Sequence, residues 1–231
     1  MSSLPVTERT RVRRHPERGS QELELIHAIL DEAYLCHVGF VHDGAPVVLP
    51  MAYVRVGDRI YLHGSSKNHM LSVLAGGAPA CVEVTLLDGL VFARSQFSHS
   101  MNYRSVVLFG QARPISEREL KLAALAALCD RLAPGRSDES RAPDELELRA
   151  TLVLELPIVE ASAKRRSGFS LDDQADLALP YWAGVVPIEQ RLGAPIADPR
   201  LSHGVALSRS VQRSCAVDAR CVDESRAERT F

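Results

Sequence analysis

Residues 45–70, "APVVLPMAYVRVGDRIYLHGSSKNHM", decide the fold because two strand-like apolar runs meet there at a tight turn. Gly57-Asp58 separates the runs, and glycine adopts the positive φ that a hairpin turn requires without steric cost. Pro50 lies inside the first run, where it removes a hydrogen-bond donor from the strand. We therefore predict an antiparallel hairpin whose first strand leaves backbone groups available to a ligand.

Similar short runs, rich in Val, Leu, Ile and aromatic residues, extend on both sides of this hairpin. The turns "HDG" at 42–44 and "DG" at 88–89 predict two further hairpins. A longer strand is expected at 101–115 and a closing strand at 151–163. Helices are expected after Ser20, the predicted N-cap, and from Ser116 to Pro134-Gly135. This pattern predicts a mainly β protein with flanking helices, in which six antiparallel strands form a small closed barrel without exposed edges.

The chain divides by composition into three parts. Residues 1–19 are arginine-rich with little to bury, which predicts a basic extended arm lying on its own protein or on a partner subunit. Residues 20–200 form the predicted domain, and 201–231 lack periodicity and are expected to be a disordered tail. The helix after Ser116 carries apolar stripes on two sides, which suggests burial against a second subunit.

Bulk composition narrows the class of function. The formal charge of -2 over 231 residues gives no general attraction to nucleic acid or to a membrane, and no apolar stretch is long enough to span one. The five cysteines are widely spaced and include no CxxC pair, so neither a disulfide framework nor a zinc site is expected. With no signal peptide visible, we expect a reducing cytoplasm. The cysteines are Cys36, Cys81, Cys129, Cys215 and Cys221.

The segment "HGSSKNHM", residues 63–70, joins a strand to a helix through Gly64. Two hydroxyls, two potential cations and the free backbone N–H groups of a helix start together suit a phosphate group. The alternative is an ordinary helix start, capped by Ser65 or Ser66 with Lys67 in solvent. A second polar group opens the strand at 101–115, where Asn102, Tyr103, Arg104 and Ser105 precede the apolar run.

Several motifs in order resemble the pyridoxamine 5'-phosphate oxidase-like flavin-binding split barrels, and within them the branch of nitroimidazole reductases. The resemblance covers residues 9 to about 200 and rests on "RTRVRRHPERG", "HVGFVHDGAPVVLPMAYVRVGDRIYLHGS", "LLDGLVFARSQFSHSMNYRSVVLFGQA", "ELRATLVLELPIVEASAKRRSG" and "YWAGVVP". It implies a homodimer of six-stranded antiparallel split β-barrels with FMN at the subunit interface.

The resemblance also implies which residues surround the cofactor. Beside the flavin ring, chiefly through backbone atoms, it places Pro50, Met51, Ala52 and Tyr53. Around the phosphate and ribityl chain it places His63, Gly64, Ser65, Ser66, Lys67 and His69. Further contacts come from Tyr103, Arg104 and Ser105, and an aromatic contact from Trp182. Met70 stands where some relatives carry a lysine, a departure that bears on phosphate binding and on any nitroreductase activity.

The function implied is an FMN-dependent oxidoreductase that moves electrons from NADH or NADPH to a small oxidised substrate. Flavins bring their own redox chemistry, which agrees with the lack of a recognisable acid, base or nucleophile constellation in the chain. Two alternatives remain: a flavin-binding carrier or sensor without turnover, and a split barrel that uses haem or a deazaflavin instead.

Overall fold

The computed structural model describes residues 2–215. Within that range the strands are β1 (Gly19–Ser20), β2 (Leu35–His42), β3 (Ala45–Val56), β4 (Arg59–Ser65), β5 (Pro79–Phe92), β6 (Ser100–Gln111), β7 (Arg113–Pro114), β8 (Thr151–Pro157), β9 (Ala161–Arg166) and β10 (Gly184–Pro187). The α-helices are α1 (Leu23–Glu32), α2 (His69–Ala75), α3 (Arg118–Leu132) and α4 (Glu145–Ala150). No helix in residues 2–215 is long and apolar enough to cross a membrane.

The strands form one antiparallel sheet in the order β1-β9-β6-β5-β2-β3-β4-β8-β7, with β10 added beside β5. β8 and β9 are far apart along this order, yet only residues 158–160 join them. Three residues span only about 10 Å, so the sheet must curl until these two strands come close. The mainly β split-barrel architecture is thereby confirmed. Full closure is not, because no backbone ladder joins β8 to β9 among the described strands.

Two of the three predicted hairpins are confirmed. Asp43 and Gly44 both have positive φ in the tight turn between β2 and β3. Gly57, with φ of 57°, begins the turn between β3 and β4. Local turn chemistry was sufficient to place both connections.

The predicted hairpin at Asp88-Gly89 is wrong, because β5 runs without a turn from Pro79 to Phe92. The register against β6 shifts between Leu87 and Gly89, which marks a β-bulge. β10 approaches so closely here that a Cβ on Gly89 would lie 3.1 Å from the Val186 carbonyl oxygen. Glycine therefore serves close backbone approach at this position rather than chain reversal.

Two other boundaries also differ from expectation. Helix α1 begins at Leu23, because the Ser20 hydroxyl accepts a hydrogen bond from the Glu22 N–H and so lies ahead of the helix. The single strand expected at 151–163 is broken at residues 158–160 into β8 and β9. Because of this break, one apolar segment pairs with β4 through β8 and with β6 through β9.

The core fills the interior of the barrel, and α1 covers one end of it. Ile26, Ile29 and Leu30 of this helix are almost fully buried against the sheet. Burial of each such side chain contributes roughly 1.5–3 kcal/mol. The Tyr53 hydroxyl donates a 2.6 Å hydrogen bond to the Leu30 carbonyl, which fixes the end of α1 to β3.

The N-terminal arm lies along its own barrel in the structure. The Arg9 guanidinium bonds the Glu160 carboxylate and lies 5.1 Å from the centre of the Phe109 ring. At the other end of the chain, residues 209–215 are helical, and the Ser210 N–H donates a 3.1 Å bond to Glu139. The remainder of the expected tail, including Cys221, lies outside the described residues.

Helix α3 buries its two apolar stripes only in part within the single chain. Ala124 and Leu128 are nearly inaccessible, whereas Leu132 and Leu120 remain more than half exposed. Arg131, near the end of the helix, donates to the Ala33 carbonyl and so ties α3 to the end of α1. Both stripes are thus only partly covered within residues 2–215, with Leu120 and Leu132 the most exposed of their members.

Candidate functional site: a cleft between two diverging strands

The candidate site begins where β3 and β4 separate. Their pairing covers only Tyr53–Val56 against Arg59–Leu62. From His63 onward β4 pairs instead with β8, while β3 keeps only β2 as its neighbour over residues 45–52. The backbone edge of β3 that faces β4 is thus left unpaired at Pro50, Met51 and Ala52. Unpaired strand edges are surfaces on which a ligand can form backbone hydrogen bonds.

Exposure of inward-facing side chains shows that the separation opens a cleft. Leu49 and Val38 are register partners and point to the same face of the sheet. Val38 is fully buried, but Leu49 is 41% exposed because no strand covers it on the β4 side. Apolar surface therefore lines this part of the cleft.

The 63–69 loop forms the other wall of the cleft. Gly64 is packed so tightly that a Cβ there would lie 2.9 Å from Cδ1 of the buried Leu71. Asn68 is the N-cap of α2, since its side chain accepts a 3.1 Å hydrogen bond from the Leu71 N–H. The alternative that Ser65 or Ser66 caps this helix is therefore wrong.

The backbone N–H groups of this loop are largely engaged within the protein. Those of Ser66, Lys67 and Asn68 bond the Ala150 carbonyl, the Ser65 hydroxyl and the Ser65 carbonyl. The expectation that free backbone N–H groups line a phosphate site is thus corrected for these three residues. Within residues 66–68, the donors that remain for a ligand are therefore side chains.

Two nitrogen donors of the loop stand out. His63 is half-buried, and its Nδ1 atom is buried without a hydrogen-bond partner among the described residues. Burial lowers the pKa of His63, which favours the neutral ring. The Lys67 side chain is exposed and forms no ion pair within residues 2–215. The exposed Lys67 ammonium suits an anionic ligand, and the unpartnered His63 nitrogen is a buried polar atom that a ligand could satisfy.

A pair of histidines lies at the mouth of the cleft. The Nε2 atoms of His42 and His69 are 2.9 Å apart, and the ring centres are separated by 4.2 Å. His42 ends β2 and His69 begins α2, so this contact bridges the two walls. The pair could not be predicted from the sequence, because its members are 27 residues apart and meet only in the folded chain. Among residues 2–215, no three His, Cys, Asp or Glu side chains form a metal-binding group.

The strand residues predicted to lie beside the flavin ring fall into two environments. Pro50 and Ala52 are exposed, and Met51 is partly buried. The Tyr53 side chain belongs to the core, where burial raises the pKa of its hydroxyl. Only the backbone of Tyr53 can therefore meet a ligand in the cleft.

The second predicted group, on β6, does not contact the 63–69 loop. Tyr103 and Ser105 point outward, in register with Leu87 and Thr85 of β5. Arg104 points to the opposite side, where it bonds both Asp88 and Glu32. We call the outward side of strands β3, β2, β5 and β6 the outer face; it carries Leu35, Val41, Val48, Pro50, Ala52, Tyr103 and Ser105.

Trp182 lies away from the loop in this chain. Its ring packs on Phe92 with centres 5.8 Å apart, and its side chain is 67% exposed. The backbone of Gly184 packs directly against the indole ring. A Cβ at this position would lie 2.8 Å from the ring. The structure therefore groups residues 50–53 with 63–69, and it separates both from Arg104 and Trp182.

The cleft fits the parts of a flavin nucleotide. The open β3 edge offers backbone groups to the hydrogen-bonding edge of the ring, and Leu49 offers apolar contact. The neighbouring loop supplies the Ser65 and Ser66 hydroxyls and the Lys67 ammonium for a phosphate.

Comparison with known structures gives two relatives that align over most of the chain. The flavocytochrome Anf3 from Azotobacter vinelandii is 40% identical, with a TM-score of 0.86 over 90% of this chain and 97% of that one. A FAD- and haem-binding protein from Mycobacterium smegmatis is 43% identical, with a TM-score of 0.82 over 85% of this chain and 97% of that one. The share of each relative that is covered shows similarity along nearly its full length.

A third structure shares the fold alone. It is that of a candidate 5-nitroimidazole antibiotic resistance protein from Bacteroides thetaiotaomicron. Identity is 22%, and the TM-score is 0.54 over 63% of this chain and 85% of that one. A search of curated proteins finds no match.

The sequence profile of the family described as pyridoxamine 5'-phosphate oxidase matches residues 22–165. That range contains α1, strands β2 to β8 and all but the last residue of β9, including the cleft and the 63–69 loop. The chain therefore belongs to the pyridoxamine 5'-phosphate oxidase family of flavin-binding split barrels.

Proposed function

We propose that this chain is a redox protein that holds a flavin in the cleft between β3 and the 63–69 loop. The observation that carries the proposal is the unpaired β3 edge, next to a segment in which the Lys67 ammonium and the His63 Nδ1 atom have no partner within residues 2–215. Both walls come from short sequence segments that the family profile covers.

The flavin proposed is FAD. FMN was the form expected from the sequence, and the cleft offers contacts that both forms share. One relative, 43% identical and described as a FAD- and haem-binding protein, favours FAD for this chain. Release of the cofactor followed by mass measurement separates the two outcomes.

The bound flavin supplies hydride and single-electron transfer, so no acid or base is required of the protein for that chemistry. Lys67 and the two serine hydroxyls bind the phosphate, and the Pro50–Ala52 backbone orients the ring. Tyr53 keeps β3 in place through its bond to Leu30. Leu49 excludes water from one side of the cleft.

We propose a reduced nicotinamide as the electron donor and a small oxidised compound as the acceptor. The exposed outer face beside Pro50 and Ala52 leaves room for a second planar molecule, or for a second copy of the chain in a homodimer. Four unpaired cysteines among the described residues agree with a reducing, cytoplasmic setting.

The test is an absorbance spectrum of the purified protein, followed by mixing with NADH or NADPH under anaerobic conditions. Flavin bands that bleach on mixing support an oxidoreductase. Flavin bands that persist with either donor support a carrier or sensor instead. A colourless protein that cannot be reconstituted with FAD or FMN contradicts flavin binding altogether.

A second candidate function adds haem to the flavin. The specific observation is the His42–His69 pair, because imidazole nitrogen is a common axial ligand of haem iron and this pair faces the mouth of the cleft. Of the two relatives that align over most of the chain, one is described as a FAD- and haem-binding protein and the other as a flavocytochrome. A Soret band that is lost in His69→Ala but retained in His99→Ala supports this role, and its absence from haem-supplemented protein contradicts it.

A further inference from the structure

A cavity of about 310 Å³ opens at the end of the barrel away from the 63–69 loop. Pro157, which lines it, pairs with Arg59 of β4, whereas His63 pairs with Val153. Four residues of β8 span about 13 Å, so the cavity is separate from the flavin cleft. Small-molecule sites in proteins have volumes of roughly 300–1,000 Å³, a range that includes this cavity.

The cavity lies where the chain crosses twice between the two halves of the split barrel. Residues 111–113 lead from β6 to β7, which pairs with β8, and residues 158–160 lead from β8 to β9. Apolar surface is supplied here by Pro79, Pro157 and Val159. Because proline has no backbone N–H, this part of the lining offers a ligand apolar contact and few hydrogen bonds.

Arg9 of the N-terminal arm forms one side of the cavity, and its charge is already balanced. Its guanidinium bonds both carboxylate oxygens of Glu160 and lies 5.1 Å from the centre of the Phe109 ring. The Thr7 hydroxyl donates a further hydrogen bond to the same carboxylate. Glu160 therefore neutralises the arm and not the other cation of the cavity.

Arg113 is that other cation, and it forms no ion pair within residues 2–215. Its register partner on β8 is Glu155, but the Glu155 carboxylate lies 3.4 Å from Arg59 instead. Gln111, two residues earlier, adds an amide that can both donate and accept hydrogen bonds. The cavity thus has one guanidinium whose charge no carboxylate of the described chain balances.

These features select a class of ligand. A single unbalanced cation suits a monoanion, because each further negative charge on a ligand would be desolvated without a partner. The planar guanidinium presents parallel N–H donors that match the two oxygens of a carboxylate. The apolar part of the lining suits a compact hydrophobic body such as an aromatic ring.

We propose that this cavity binds a small aromatic carboxylate. The carboxylate bonds Arg113, and the ring packs on Pro79, Pro157 and Val159. Because Arg9 forms one side, an occupied cavity also holds the N-terminal arm more firmly on the barrel. The inference does not depend on the proposed function, since the cavity and the flavin cleft lie at different ends of β8.

The test is calorimetric titration of the purified full-length protein with 2-naphthoate. Arg113→Met removes the cation, and Arg113→Lys keeps the charge without the parallel donors. Arg165→Met is the matched control, because Arg165 is also an exposed strand arginine without an ion pair in residues 2–215, and it does not line the cavity. We expect the dissociation constant to rise at least about tenfold in Arg113→Met, less in Arg113→Lys, and not at all in Arg165→Met.

Two further probes separate the parts of the ligand on the wild-type protein, so the test does not rest on the variants alone. 2-Naphthamide keeps the ring without the charge, and acetate keeps the charge without the ring. Each should bind at least about tenfold more weakly than 2-naphthoate. The titration is repeated with excess FAD, which should leave the affinity for 2-naphthoate unchanged.

Circular dichroism checks that the variants are folded, which is expected because Arg113 is exposed. Four results would each overturn the inference: no saturable binding of 2-naphthoate by the wild type, equal affinity for 2-naphthamide, equal weakening by Arg165→Met, or displacement of 2-naphthoate by FAD. The last result would place the carboxylate in the flavin cleft instead.

Discussion

The 63–69 loop and the 103–105 segment of β6 were both expected to bind the cofactor. They differ in whether their polar side chains are already bonded within the protein. The loop presents an unpaired Lys67 and an unsatisfied His63 nitrogen. On β6, Arg104 is already bonded to Asp88 and Glu32. The comparison teaches that a polar side chain is available to a ligand only when the fold does not already use it.

The largest effect is expected at Gly64, which belongs to the loop but also packs on the core. A Cβ there meets the buried Leu71 at 2.9 Å, so Gly64→Val should lower the free energy of unfolding by about 1–3 kcal/mol and displace the loop. We expect flavin affinity to fall more than about 100-fold, because several contacts are lost together. Gly64→Ala should give a smaller change in both, and equal affinity in all three proteins contradicts the role of the loop.

Lys67→Ala separates ligand binding from stability. A hydrogen bond to a charged group contributes about 1.5–3 kcal/mol, so the flavin dissociation constant should rise about 10- to 100-fold. Because Lys67 is exposed and forms no ion pair in the described chain, its removal should change unfolding by less than about 0.5 kcal/mol. Isothermal titration of the apoprotein and urea unfolding measure the two quantities. Unchanged affinity argues against phosphate binding by this loop.

Arg104→Met should lower the stability of the protein and leave its flavin affinity nearly unchanged, the reverse of Lys67→Ala. Its loss leaves Asp88 and Glu32 facing each other without a cation, which should cost about 1–3 kcal/mol of unfolding free energy at this partly exposed site. Flavin affinity of the folded protein should change less than about threefold, because the Arg104 guanidinium is already bonded to Asp88 and Glu32 and belongs to neither wall of the cleft. Loss of affinity without loss of stability would instead place Arg104 in the cofactor site.

The smallest effect is expected in the pH dependence of the unfolding free energy, to which His63 contributes. Burial lowers the pKa of this ring in the native state below its value of about 6.5 in the unfolded chain. Below pH 6.5 the unfolded state therefore binds more protons, and stability falls as the pH drops toward the native pKa. In His63→Asn, the difference in unfolding free energy between pH 7.5 and pH 5.5 should be smaller than in the wild type. Identical profiles for both apoproteins would contradict the burial argument.

Sequence reasoning was most successful where the determinants are local. The turns at Asp43-Gly44 and Gly57 follow from the conformational preferences of adjacent residues, and the strands on either side alternate as expected. The strand–glycine–helix order at Gly64 was also predicted, because it depends on residues within one short segment.

The failures depend on contacts between distant residues. Asp88-Gly89 has the composition of a hairpin turn, but β10, about 100 residues later, pairs with β5 at this point and fixes a bulge. The His42–His69 pair and the engagement of Arg104 likewise require the folded sheet. The open edge of β3 was anticipated from Pro50, yet its actual cause is the divergence of β4 toward β8.

The most direct test of the account is a crystal structure of the chain saturated with FAD. Our proposal predicts that phosphate oxygens lie within about 3.2 Å of the Ser65 hydroxyl or the Lys67 ammonium, and that the ring contacts the backbone of residues 50–52. A flavin bound elsewhere, with the 63–69 loop open to solvent and the edge of β3 unoccupied, would contradict it.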